Sequence, residues 1–246
     1  MDKRTKRIMK ELGELEKSRV ILNESGIYFH YDESDVSILY AMIVGPEGTP
    51  YEGGFYFFEF VYPPEYPMVP PVAKYCTQGS LYDLREKSMR SVRFNPNLYT
   101  CGKVCLSMLN TWDGPGWTPT CTITNVFVAI QGLVLNENPM ENEPGYEGLK
   151  DEDGVRKYRD YNQVIEYANF KIAVMGMYHS KPSEVMNIFH QPMRECIIKN
   201  QDKYRRRLMD KRDYHQVVEM PCYRLKVDIH YEALIAEFEE FIAGIV

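Results

Sequence analysis

Apolar residues return at helical intervals over the first turns of the chain, where Ile8, Leu12 and Leu15 share one face and the lysines and arginines fall mainly on others. That spacing predicts an amphipathic N-terminal helix. Past Ser25-Gly26 the period changes. Three runs rich in aromatic and β-branched residues, GIYFHYD, VSILYAMIV and GFYFFEFVY, are separated by DESD and by GPEGTPYEGG and read as an antiparallel meander. A fourth strand, PVAKYC, follows YPPEYPMVPP, whose prolines cannot donate to a ladder and make a rigid connector. Residues 77 to 120 have little periodicity and many turn formers, and Trp112 and Trp117 favour an ordered loop there. Helical spacing resumes at Ile123, Val126, Phe127, Ile130 and Leu133, with the apolar face inward, and again from Tyr158 to Met175. Two more helical segments are expected, roughly 183 to 209 with an interruption at Pro192, and 231 to 245. The pattern therefore predicts a core over residues 1–178 and a helical extension, 179–246, packed on it.

With 246 residues, 44% hydrophobic and 26% charged, the chain suits one generous domain or a core with a substantial extension. No run of about 18 apolar residues is present, and MDKRTKRIMKELGELEK is a charged helix pattern without a signal core. The expectation is a cytoplasmic or nuclear protein with no membrane partner. A net charge of −6 argues against a dedicated nucleic-acid binder. Charge is nevertheless uneven: Lys3, Arg4, Lys6, Arg7 and Lys10 crowd the first ten residues, residues 137 to 153 carry seven acids, and 199 to 212 is basic. Such blocks are solvated faces or steer protein partners.

Six cysteines in a compartment that keeps thiols reduced point to burial, catalysis or metal binding before disulfides. Two of them lie four apart in RFNPNLYTCGKVCLS, residues 93 to 107. A structural zinc needs about four ligands in close pairs, and no second Cys/His pair accompanies Cys101 and Cys105. A cysteine hydrolase needs a base, and the five histidines are all distant in sequence. A thiol that carries an acyl group asks less, because thioester exchange swaps one thiolate for another and needs no strong base. What it does need is an amide donor near the carbonyl and a fixed loop. Asn97, eight residues before Cys105 and locked behind Pro96, can serve as either.

The segment Asn95-Pro96-Asn97 followed by Gly102-Lys103-Val104-Cys105-Leu106 resembles the active site of ubiquitin-conjugating enzymes, whose His-Pro-Asn precedes a thioester cysteine. GPEGTPYEGGFYFFEFVYPPEYPMVPP and WTPTCTITNVFVAIQGLVLNENP extend the resemblance on either side. The twelve-residue spacing from Cys105 to Trp117 is most similar to the large Z-type members and to the conjugating domain of the giant inhibitor-of-apoptosis ligases. The resemblance is strong over roughly residues 3 to 178. It implies an α+β ubiquitin-conjugating fold: an N-terminal helix, a four-stranded antiparallel meander, C-terminal helices and a helical extension.

It further implies that Cys105 holds ubiquitin or a ubiquitin-like modifier as a thioester, received from an activating enzyme and passed to a substrate lysine or a ligase cysteine. Asn97 would stabilise the oxyanion or hold the loop. Asn95, in place of the family's histidine, can also donate and accept hydrogen bonds. Cys101 acquires no role. Ser107 stands where many members have an aspartate that assists the lysine; Asp113, Asp151, Glu152 and Asp153 are candidates to replace it. A lysine of pKa ~10.4 is deprotonated about once in a thousand molecules at about pH 7.4, so the substitution matters. By the same resemblance Lys3, Arg4, Lys6, Arg7 and Lys10 would meet the activating enzyme, and Met68, Thr118, Pro119 and Thr120 a ligase. Trp117 reads as a core anchor. No metal or organic cofactor is required. A non-catalytic module of the same fold, which only positions ubiquitin, is disfavoured by the presence of both Cys105 and Asn97.

Overall fold

The computed structural model describes residues 2–245; Met1 and Val246, the outer ends of the two expected regions, lie outside it. Helix α1, Lys3–Glu24, is opened by Asp2, whose carboxylate accepts the N–H of Thr5 at 2.7 Å. It buries Ile8, Glu11, Leu12, Leu15 and Leu22, a helical stripe with one acid in it. Strands β1 (Ile27–Asp32), β2 (Asp35–Val44), β3 (Phe55–Val61) and β4 (Val72–Tyr75) form the expected antiparallel meander in order β1-β2-β3-β4. Leu39 pairs with Phe60, Met42 with Phe57 and Phe60 with Ala73.

β3 shows why its sequence, FYFFEFV, is apolar almost without alternation. Phe60 meets Phe127 with ring centroids 5.4 Å apart, whereas Phe57, on the opposite face, meets Phe189 of the C-terminal extension at 5.9 Å. A strand covered on both faces has no polar face to keep. α2 (Ile123–Ala129) begins with a reciprocal cap in which Thr122 and Asn125 exchange hydrogen bonds. It runs on as a π-helical turn, Ile130–Val134, with Leu135 N–H reaching the Ile130 carbonyl at 3.0 Å. That wider turn rotates Leu133 outward, so Leu133 is 62% exposed where the periodicity predicted an inward position. α3 (Glu152–Ala168) continues through a second π-helical stretch, Asn169–Gly176, into α4, Met177–His179.

Three differences from expectation concern the less periodic regions. The 77–120 segment holds a hairpin, β5 (Ser80–Asp83) with β6 (Ser88–Ser91). The extension is not wholly helical: between α5 (His190–Met209) and α6 (Tyr231–Ala243) lies a second hairpin, β7 (His215–Glu219) with β8 (Lys226–His230). Finally, Pro192 does not interrupt α5, because it occupies the first turn, where backbone N–H groups have no intrahelical acceptor to lose. The extension grips the core closely. Tyr204 donates to the Gly53 carbonyl at 3.0 Å, and a Cβ on Gly53, at φ +73°, would lie 2.3 Å from the Tyr204 ring. Arg207 and Lys211 converge on the buried carboxylate of Glu166. No helix among the described residues is long and apolar enough to cross a membrane.

Candidate active site

The loop from Arg93 to Thr111 is built by turns and isolated bridges rather than by continuous strands. Isolated bridges join Asn95 to Leu98, Leu98 to Val104 and Lys103 to Lys74 of β4. Gly102 makes this possible: its φ is +93°, and a Cβ would sit 3.1 Å from Lys74 Cγ and 3.2 Å from the Tyr75 carbonyl oxygen. Its own carbonyl accepts the Tyr75 N–H at 2.7 Å, which fixes the loop along the sheet edge.

Cys105 is 2% exposed and is held twice by Asn97. The Cys105 N–H donates to the Asn97 carbonyl at 2.8 Å, and Asn97 Nδ2 donates to the Cys105 carbonyl at 2.7 Å. Asn97 is fixed in turn, since its N–H donates to Asn95 Oδ1 at 2.8 Å in an Asx turn across Pro96. Asn95 Nδ2 donates to the Tyr51 hydroxyl at 2.9 Å and to the Val134 carbonyl at 2.7 Å. Burial pushes the Tyr51 phenol far up, so it stays neutral, accepting from Asn95 and donating to the Phe94 carbonyl at 2.7 Å. Asn95, Pro96, Asn97 and Cys105 thus form one hydrogen-bonded unit anchored to the core. Asn97 Oδ1 is buried without a partner among the described residues, and the Nδ2 of the same amide carries a second N–H besides the one given to Cys105.

Downstream, Ser107 starts a 3₁₀ turn, Ser107–Leu109, and the insertion before Trp117 folds back over it. The Thr111 hydroxyl accepts the Leu106 N–H at 2.9 Å and donates to the Val104 carbonyl at 2.8 Å. Asn110, at φ +55°, accepts the Trp117 N–H at 2.8 Å. Gly114, at φ +129°, comes so close that a Cβ would lie 3.1 Å from Ser107 Cβ. Asp113 is the neighbouring residue and is exposed. Of the other candidate acids, Asp153 pairs with Arg156 and Lys157, Asp151 caps α3 by accepting the Gly154 N–H at 3.0 Å, and Glu152 lies exposed in the first turn of α3.

The candidate partner residues divide into two groups. Met68, Thr118, Pro119 and Thr120 are exposed, and their two loops are joined by Trp117, whose Nε1 donates to the Pro67 carbonyl at 2.8 Å while only 8% of the residue is accessible. Lys3, Lys6 and Lys10 are exposed on α1. Arg4 and Arg7 serve the fold: Arg4 donates to the carbonyls of Tyr62 and Pro63, and Arg7 to those of Pro119 and Cys121 at 2.8 and 2.7 Å. Both arginines therefore tie α1 to the loops around Trp117.

Sequence reasoning passed over Glu11. Buried at 5% exposure, it accepts from Arg7, from the Tyr66 hydroxyl and from the Ile123 N–H at 2.9 Å. Its signal was present, because position 11 lies three after Ile8 and four before Leu15 on the apolar stripe. Of the remaining cysteines, Cys101 is exposed, and burial pushes the Cys76 thiol up to about 11. No histidine among the described residues hydrogen-bonds Cys105; His215 and His230 stack on each other at 4.2 Å, and His179 and His190 lie against Tyr178.

A family model described as ubiquitin-conjugating enzyme matches residues 7–167. The chain is 41% identical over 185 residues to "Probable ubiquitin-conjugating enzyme protein 17" of Caenorhabditis elegans, covering 74% of this chain and 24% of that one. To "Ubiquitin-conjugating enzyme E2 Z" of Homo sapiens it is 42% identical over 156 residues, 63% of this chain and 40% of the relative. To the human "Dual E2 ubiquitin-conjugating enzyme/E3 ubiquitin-protein ligase BIRC6" it is 35% identical over 193 residues, 76% of this chain and 4% of the relative. The chain thus spans less than half the length of each of these relatives. The matched stretch contains the meander, α2 and the whole Asn95–Cys105 unit, and the chain belongs to the ubiquitin-conjugating enzyme family, related to its Z-type members.

Proposed function

We propose that Cys105 accepts ubiquitin or a ubiquitin-like modifier from an activating enzyme and passes it to a substrate lysine or a ligase cysteine. The Cys105 thiolate attacks the carbonyl carbon of the incoming thioester; the new C–S bond forms, the old one breaks, and the donor's thiolate leaves. In discharge to lysine the amine attacks that carbonyl, an isopeptide bond forms, the Cys105 thiolate departs and the nitrogen sheds a proton. The observation that carries this reading is the pair of hydrogen bonds between Asn97 and Cys105, 2.8 and 2.7 Å, which fixes the reacting residue beside an amide donor. Lys3, Lys6 and Lys10 would meet the activating enzyme, and Met68 with Thr118, Pro119 and Thr120 a ligase. Asp113 would supply the charge that Ser107 lacks. The reaction suits a reducing compartment such as cytoplasm or nucleus.

Incubation with an activating enzyme, ATP and ubiquitin, or a ubiquitin-like modifier, should give a conjugate that thiol reductant removes. Cys105→Ala should abolish it. A wild-type protein that charges with no modifier would overturn the reading, and a Cys105→Ala variant that still charges would overturn the site.

A further inference from the structure

Arg93 opens the RFNPN run, and its guanidinium lies over two tyrosine rings. It is 3.8 Å from the centroid of Tyr99, in the active-site loop, and 4.7 Å from that of Tyr223, in the turn between β7 and β8 of the extension. Its Nη2 donates to the carbonyl of Pro96, the residue between Asn95 and Asn97. Its buried Nε meets no acceptor among the described residues, so the rings and that carbonyl are what hold the side chain.

Tyr223 is itself clamped. Its hydroxyl donates to Glu143 at 2.7 Å, its carbonyl accepts from Arg90 at 2.9 Å, and its ring meets Tyr161 at 6.3 Å. The residues on either side, Cys222 and Arg224, stand at φ +69° and +54°, a left-handed conformation that side chains other than glycine adopt at a cost. The turn therefore sustains an unfavourable backbone to present this ring.

We propose that the C-terminal extension holds the active-site loop through Tyr223 and Arg93, which makes Arg93 a positioning residue for thioester transfer. The line of contact runs from Tyr223 to Arg93, from Arg93 to Pro96 and Tyr99, and from Asn97 to Cys105. Loss of the Tyr223 ring leaves the guanidinium only the Tyr99 ring and the Pro96 carbonyl and frees the 95–99 segment that aligns Cys105. This inference rests on the reading that Cys105 carries the modifier.

The test uses the full chain as wild type, Tyr223→Ala, Tyr223→Phe and Arg93→Lys, with His215→Ala as a control at the other end of the same hairpin. Tyr223→Phe keeps the ring and drops the Glu143 bond; Arg93→Lys keeps the charge and drops the planar stack. Maximal charging should slow on the order of tenfold in Tyr223→Ala and Arg93→Lys, with the half-saturating concentration of activating enzyme unchanged, and stay within about twofold in the other two. The nitrogen-15 spectrum gives a readout independent of activity: the Asn97 side-chain amide should shift in Tyr223→Ala and not in His215→Ala. Wild-type charging rates in Tyr223→Ala, a Tyr223→Phe variant as slow as Tyr223→Ala, or an unmoved Asn97 amide would each overturn the proposal. Failure of the wild type to charge would count against Cys105 instead, and the Asn97 resonance would then decide the role of Tyr223 alone.

Discussion

Replacing Glu11 by alanine should be among the most destabilising changes on α1, although it removes a charged residue from a helix rich in charge. The carboxylate is buried at 5% exposure and receives Arg7, the Tyr66 hydroxyl and the N–H of Ile123, the first residue of α2. Its loss strands the Tyr66 hydroxyl, at a cost of about 1–3 kcal/mol for an unpaired buried donor. It also removes a carboxylate from a helix N-terminus, about 1 kcal/mol. Arg7 keeps its bonds to the Pro119 and Cys121 carbonyls, so the full penalty of an orphaned buried charge does not apply. The sum is about 3 kcal/mol, which at a urea m-value of about 2 kcal/mol per molar lowers the unfolding midpoint by about 1.5 M. Tyr66→Phe, which removes the donor and leaves the carboxylate its bonds from Arg7 and Ile123, should cost about 1 kcal/mol or less. Urea titration followed by tryptophan fluorescence suits the measurement, because Trp117 packs on Tyr66 with centroids 5.8 Å apart. A midpoint shift below about 0.5 M for Glu11→Ala, or a Tyr66→Phe variant as weak as Glu11→Ala, would refute this account of the carboxylate as a hub.

Other outcomes rest on single contacts. Gly53→Ala should displace α5 from the core and lower the melting temperature by several degrees, since its Cβ would meet the Tyr204 ring at 2.3 Å; limited proteolysis within 179–245 should accelerate with it. Asp83 is fully buried, and although burial alone would raise its pKa, Arg90 and the N–H groups of Arg85 and Lys226 hold it below the usual carboxylate value. Its stabilisation is therefore complete above about pH 4 and lost as pH falls through the lowered folded value, so an Asp83→Asn variant should lose its disadvantage against wild type in acid-unfolding curves. With iodoacetamide at pH 8, Cys101 should be alkylated well before Cys76, whose thiol, at about 11, is about one part in a thousand thiolate; peptide mass spectrometry would read the order.

The meander and α1 were legible because burial enforces a period, and the strands that cross the core carry aromatic residues on it. The two hairpins were not. β6 and β7 are short and mostly exposed, so no apolar rhythm marks them, and SMRS and HQVVE read as loop. Cys105 and Asn97 could be selected by spacing and resemblance, yet their mutual bonds depend on Gly102 and on a carbonyl 39 residues away from Asn95. Arg7 looked like surface charge because a guanidinium bound to loop carbonyls has the same sequence signature as one in water. Arg93 was hidden for a related reason: its second ring comes from residue 223, and no local pattern announces so distant a neighbour.

The π-helical turn at Ile130–Val134 has a consequence for how this chain tolerates insertion and deletion. Gly132 and Leu133 are exposed, and a change of side chain at either should pass almost unnoticed. Removing one residue would instead tighten the turn to ordinary α-helix, rotating α2 by about 100° and shifting it by about 1.5 Å relative to the chain beyond the turn. The Val134 carbonyl that receives Asn95 would then point elsewhere. The length of this turn is thereby tied to the aim of a loop it never touches in sequence, and substitutions at 132 and 133 should be silent where single-residue deletions at the same positions are damaging.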